Sequence, residues 1–144
     1  MTTDDRSGET AFLAAFESGA LNAADFGHRD HLRVAYLMLE HHPFGEAVAR
    51  VSASLRRLAT AHGAPEKYHE TVTLAFMVLI NERRGAPGAG PGDWEGFIAT
   101  NPDLLDGRLL SRYYRPETLR SERARRVFVL EPLAGPAPAP ADPT

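Results

Sequence analysis

The spacing of apolar residues is the feature that most constrains the fold of this 144-residue chain. Between its glycine- and proline-rich loops, apolar residues recur three or four positions apart, and no segment alternates with the two-residue period of a strand. The clearest helical stripe lies in the segment 44–61 and consists of Ala47, Val51, Leu55 and Leu58. Because such a stripe must be buried against other helices, the sequence predicts an all-α fold.

Helix-capping residues, glycines and prolines divide this pattern into separate helices. Four longer helices are predicted, over Glu9–Ser18, His28–His41, Phe44–Ala61 and Glu66–Arg84. After a glycine-rich loop, shorter helices are predicted to begin at Asp93, Asn101, Pro116 and Ser121, where capping residues or prolines stand. The expected architecture is a compact bundle of the four longer helices, capped by the short C-terminal ones.

The chain is expected to form one domain with a tail. Its length suits a single hydrophobic core, which we assign to residues 1–130. Residues 131–144 hold five of the 11 prolines. Since proline lacks a donor N–H and resists helix formation, this segment is predicted to be a disordered tail.

Composition excludes several classes of protein. With 16 Lys+Arg against 19 Asp+Glu, the net charge of −3 leaves no basic stripe for nucleic acid. No apolar run approaches the ~20 residues that cross a bilayer, and residues 1–8 lack the pattern of a secretory signal, so a cytoplasmic protein without membrane contact is predicted. The arginine bias (Lys67 is the only lysine) is typical of a bacterial source. The absence of cysteine excludes disulfides and thiolate sites, and leaves six histidines as candidate ligands.

The second and fourth predicted helices carry histidine where leucine is expected. At ~100° per residue, Arg29, Arg33, Tyr36 and Glu40 share the polar face of the second helix, whereas His28 and His31 lie on its apolar face. On the fourth helix, His69 falls on the apolar side, one turn before Thr73. In an up-and-down bundle both helices start at the same end, so these three histidines are expected at one level.

Three imidazoles at one level predict a mononuclear metal site. Such a site suits Zn, Cu or Fe and keeps a coordination position open for water or substrate. The lead hypothesis is a metal-dependent enzyme with His28, His31 and His69 as ligands and a small molecule as substrate. A metal-free alternative uses His31 or His69 as general base, assisted by Thr73 or a tyrosine.

The segment 109–126 supplies further candidates. Tyr113 and Tyr114 are predicted to reach the pocket as catalytic groups, and Arg125 is predicted to hold a substrate carboxylate in a two-pronged grip. Tyr68 is a second candidate substrate-binding residue. In the alternative interpretation, the arginines of this segment are solvated and its apolar residues lock the last helix onto the core.

Three motifs together resemble an uncharacterised family of small helical bacterial proteins. They are F-x-H-x-x-H-L at Phe26–Leu32, K-Y-H-x-T-x-T at Lys67–Thr73, and L-x-S-x-x-A-R at Leu119–Arg125. The resemblance covers most of the chain, from about Phe26 to Phe128. It implies that His28, His31 and His69 belong together, but it supplies no reaction.

Two alternatives to an enzyme stay open. The chain is a non-catalytic accessory or interaction subunit if Leu74 and Val78, on the outer side of the fourth helix, meet a second copy or a neighbouring enzyme. It is a helical small-ligand-binding protein if the histidines act only as hydrogen-bond partners around an apolar cavity. The discriminating observations are the exposure of those two side chains and the geometry of the three rings.

Overall fold

A computed structural model describes residues 2–85 and 93–132. Within these ranges every regular element is a helix, which confirms the all-α prediction, and none of the helices is long and apolar enough to cross a membrane. The α-helices are α1 (Thr2–Ser18), α2 (His28–His41), α3 (Phe44–Ala61), α4 (Glu70–Arg84), α5 (Trp94–Thr100), α6 (Pro116–Arg120) and α7 (Glu122–Arg126). Short 3₁₀ turns cover Ala23–Asp25, Pro65–Lys67, Pro102–Leu105 and Leu109–Arg112.

Helix α2 lies at the centre of the core. It packs against α1, α3 and α4 on one side and against α5 on the other. The expectation that Tyr36 faces water is therefore wrong: the residue is 2% exposed, and its ring centroid lies 4.8 Å from that of Phe97 and 5.9 Å from that of Trp94, both on α5. Of the predicted polar face, Arg29 and Glu40 at its ends are exposed, and Arg33 is half-buried.

Helix α4 begins four residues later than predicted. Pro65 starts a 3₁₀ turn that ends at Lys67, and the chain then passes through the extended residues Tyr68 and His69 before the helix begins. The reason lies in His69, whose ring nitrogen Nδ1 accepts the Val72 N–H at 3.1 Å and caps the helix. His69 is thus the N-cap of α4 and not a residue within its apolar stripe.

The C-terminal elements follow the predicted caps. The Asp93 carboxylate accepts the Gly96 N–H at the start of α5, and Ser121 Oγ accepts the Ala124 N–H at 3.0 Å at the start of α7. The last helix ends at Arg126, and Val127 leaves it in an extended conformation.

The segment 127–131 is held by the side chains of Thr71 and Tyr114 and by its own Glu131 carboxylate. Thr71 Oγ1 donates to the Val127 carbonyl at 2.9 Å and accepts the Val129 N–H at 3.1 Å, and the Glu131 carboxylate accepts the Arg115 N–H at 2.8 Å. Tyr114 adds a bond to the Val129 carbonyl. Glu131 therefore belongs to the packed chain rather than to a tail, while residues 133–144 of the predicted tail and 86–92 of the predicted loop lie outside the described residues.

Candidate functional site

A pocket of about 440 Å³ opens where the first turns of α2 and α4 meet the end of α3. We call it the histidine pocket. Its walls come from the connection before α2, from α3, from the turn before α4 and from α4 itself. The lining residues are Ala24, Phe26, His31, Leu55, Leu58, Ala59, His62, Ala64, Lys67, Tyr68, His69, Val72 and Thr73. Mostly apolar walls with a few convergent polar groups are typical of a small-molecule site.

The ring of His69 is fixed by two hydrogen bonds. Nδ1 accepts the Val72 N–H, and Nε2–H donates to the Leu119 carbonyl at 2.6 Å. Because a backbone N–H is always a donor and a carbonyl always an acceptor, this geometry requires the neutral Nε2–H tautomer. Both ring nitrogens are therefore occupied within the protein, and no lone pair faces the pocket.

His28 points away from the histidine pocket into the bundle. Its Nε2–H donates to the Leu104 carbonyl at 2.9 Å, and its ring meets Phe76 edge-on at 5.1 Å. It lines a second, inner cavity of about 60 Å³, which shares His31 and Thr73 with the histidine pocket. His28 thus contributes the inner wall of the site and anchors α2 to the 3₁₀ turn at Leu104.

His31 stands between the two cavities. Its ring packs on Phe26 with the centroids 4.7 Å apart, and among the described residues it has no hydrogen-bond partner for its side chain. Burial by its neighbours, helped by the nearby His28 and opposed by Asp30, lowers the pKa of His31 to about 4. The residue is nevertheless exposed to solvent, and with this lowered pKa its imidazole is neutral at physiological pH.

The structure does not bring the three histidines together as a metal-ligand set. His31 and His69 share the histidine pocket, and His28 and His31 share the inner cavity. Across residues 2–85 and 93–132, no group of three His, Asp or Glu side chains converges as a metal site. The residues do not fit a metal as they lie, because His69 would have to give up one of its two hydrogen bonds to become a ligand.

Two other predicted site residues line the histidine pocket. Thr73 lies where the pocket meets the inner cavity. The Tyr68 hydroxyl donates to the Glu70 carboxylate, and the Arg56 guanidinium lies 4.6 Å over the Tyr68 ring. Burial and the Glu70 hydrogen bond raise the pKa of Tyr68 to about 12, so this phenol stays protonated.

The candidates from the distal segment lie outside the histidine pocket. The Tyr114 hydroxyl donates to the Val129 carbonyl at 2.6 Å, so it holds the C-terminal segment in place. Tyr113 is 49% exposed on another face of the molecule. Arg125 Nη1 donates to the Glu66 carbonyl at 2.7 Å, so it braces the turn that carries Lys67 rather than gripping a ligand from within the pocket.

That other face carries an open apolar groove of about 890 Å³ between α4 and the C-terminal segment. Four of its large hydrophobic side chains are exposed: Val78 at 42%, Tyr113 at 49%, Phe128 at 38% and Leu130 at 77%. Leu74 is half-buried. Val78 is thus not covered by the short C-terminal helices, although α7 packs on α4.

The sequence reasoning missed three pocket residues of chemical interest. Phe26 and Lys67 occur in the quoted motifs without an assigned role, and His62 is not among the predicted site residues. A signal for Lys67 was present, because it is the only lysine in the chain and immediately precedes Tyr68 and His69.

Comparison with protein-family models, with curated proteins and with solved structures gives no match for this chain. Its function is therefore inferred from the fold and the pocket alone.

Proposed function

We propose that this protein is a helical small-molecule-binding protein whose ligand occupies the histidine pocket. The arrangement as a bundle of four longer helices capped by short ones is part of the proposal, and the mutual packing of α1 to α4 supports it. The observation that carries the proposal is a pocket of about 440 Å³ with largely apolar walls, a volume within the usual range of small-ligand sites.

The polar groups of the pocket support binding of one oriented ligand. His31 presents a neutral ring without an internal partner among the described residues, and Thr73 adds a hydroxyl beside it. His69, by contrast, is immobilised by its two hydrogen bonds and serves as a rigid wall. An uncommitted imidazole beside the fixed ring of His69 favours hydrogen-bonded recognition, because little ordering of these side chains is required on binding.

The test is binding of Nile red, an uncharged polarity-sensitive dye, to the whole chain. We expect Ala59→Trp, which fills the pocket from α3, to abolish the fluorescence increase. Ala53→Trp is the matched control, since it adds the same ring at an exposed position of the same helix. Val78→Glu alters the apolar groove, so unchanged dye binding by this variant would exclude the groove as the binding site. Equal dye binding by wild type and Ala59→Trp would refute the proposal.

The metal-dependent enzyme stays a prediction, with Zn, Cu or Fe bound by His28, His31 and His69. Its test is the metal content per chain of the purified protein and of the His31→Ala and His69→Ala variants. Stoichiometric metal that is lost in both variants would replace the ligand-binding proposal. A wild type that is folded and free of metal would exclude the enzyme hypothesis.

An interaction subunit is the second candidate, and the exposure of Val78, Phe128 and Leu130 in the apolar groove favours it. Its simplest form is a homodimer through that groove. Sedimentation velocity over a concentration series tests it: a dimer that dissociates in Val78→Glu supports the candidate. A wild type that stays monomeric throughout would leave no basis for a homodimer.

A further inference from the structure

We infer that the ligand of the histidine pocket is a small organic monoanion, namely a carboxylate on an apolar aromatic or aliphatic body. This inference rests on the proposed function and names the chemical class of its ligand. Two observations carry it: the sign of the charges that line the pocket, and the division of the lining into a charged rim and apolar walls.

The charge of the pocket is one-sided. Among its lining residues none is Asp or Glu, and the residue with a permanent charge at neutral pH is Lys67. Within the described residues the Lys67 amine has no carboxylate at ion-pair distance, whereas nine arginines do, at positions 29, 50, 56, 83, 84, 108, 112, 115 and 125. A ligand carboxylate would supply the ion-pair partner that the described part of the protein does not give the Lys67 amine.

The backbone at Lys67 is held by its surroundings. The turn that carries it is closed by the bond from the Lys67 N–H to the Ala64 carbonyl at 3.0 Å, and Arg125 holds the adjacent Glu66 carbonyl. The exposed amine therefore extends from a braced turn at the pocket rim. The hydrogen bonds of His69 require its neutral form, so Lys67 supplies the one full positive charge of the pocket. A single positive charge suits a monoanion better than a dianionic phosphate.

The remaining walls define the rest of the ligand. Phe26, Leu55, Leu58, Ala59 and Val72 present apolar surface, so the body of the ligand is apolar. His31 and Thr73, at the inner end, offer hydrogen bonds to a single polar substituent at most. A sugar or another heavily hydroxylated molecule would leave most of its polar groups unpaired, which costs affinity.

The experiment is calorimetric titration of the full chain with phenylacetate and octanoate and with their primary amides, which match them in shape but carry no charge. We expect at least one acid to bind and its amide to bind about tenfold more weakly. Lys67→Gln should weaken the acid about tenfold, as expected for loss of a charge-assisted hydrogen bond, and leave the amide unchanged. Arg108→Gln is the matched control, because it removes the same charge at a site 89% exposed and outside the pocket.

A direct readout uses the fact that Lys67 is the only lysine. The bound acid should slow acetylation of its amine, measured at this residue by mass spectrometry, and the amide should slow it less. Equal affinities for acid and amide, or a Lys67→Gln variant that binds the acid normally, would overturn the inference while leaving the proposed pocket intact. Failure of the acids, the amides and Nile red alike to bind would overturn the proposed function itself.

Discussion

His69 offers the sharpest test of how the pocket is built. Replacing it with alanine removes an N-cap acceptor from the Val72 N–H and a donor to the Leu119 carbonyl. Loss of an N-cap costs about 1 kcal/mol, and loss of the second bond costs about 1 kcal/mol more. We therefore expect His69→Ala to lower the free energy of unfolding by roughly 2 kcal/mol, since the two bonds join different segments.

His69→Asn separates the two contributions. The asparagine side chain accepts an N-cap hydrogen bond as well as any residue does, but it is too short to reach Leu119. We expect this variant to lose about 1 kcal/mol, which is half the cost of the alanine variant. His62→Ala is the control for a histidine of the same pocket, because His62 is exposed and its replacement should change stability by less than about 0.5 kcal/mol.

The assay is urea unfolding followed by circular dichroism, with linear extrapolation to water, in the presence and absence of a chelator. The expected order of stability is wild type, His69→Asn, His69→Ala, with no effect of the chelator on any of them. If His69→Asn were as unstable as His69→Ala, the cap would contribute nothing and our reasoning would fail. A wild type that the chelator destabilises to the level of the variants would show that His69 holds a metal.

Three further predictions concern single side chains. First, the pKa of His31 is about 4 in the folded state against an ordinary 6.5, so between these pH values the unfolded chain binds one proton more than the folded chain. The free energy of unfolding should therefore fall as the pH drops from about 6.5 to about 4, and it should fall less steeply in His31→Gln. NMR titration of the His31 ring is the direct check. Second, Tyr114→Phe should cost about 1 kcal/mol in urea unfolding and Tyr113→Phe almost nothing, so equal losses would contradict the assignment of these two hydroxyls. Third, Thr71→Val should cost about 2 kcal/mol because it leaves two backbone groups of the C-terminal segment without a partner, and unchanged amide exchange in that segment would refute this.

The helical pattern predicted much of the fold because periodicity and caps are local properties. The bounds of α2 and α3 agree with the prediction to the residue, and the caps at Asp93 and Ser121 are present. The environment of Tyr36 was not predictable in this way, since α5 covers the predicted polar face only after the chain has folded back. A helical wheel records one helix and cannot show what packs on its far side.

The candidate site depends on more than local pattern. The inference that His31 and His69 approach each other depended on helix direction, and both line one pocket. What the rings of His28 and His69 bind depended on the carbonyl groups of Leu104 and Leu119, which lie 76 and 50 residues away from them in the chain. No pattern of residue types predicts which backbone oxygen will meet an imidazole, so a shared pocket was accessible from the sequence and the hydrogen bonds were not.

The bonds that tie α6 and α7 to the rim of the histidine pocket have a consequence for folding kinetics. Leu119 meets His69 and Arg125 meets Glu66 across 50 and 59 residues of chain, whereas the contacts within each long helix are local. Non-local contacts of this kind form later than local helical ones, because the entropy of loop closure opposes them. During synthesis His69 and the turn before α4 therefore gain these two hydrogen bonds only after residue 125 has left the ribosome, and the ligand binding proposed above would be acquired late.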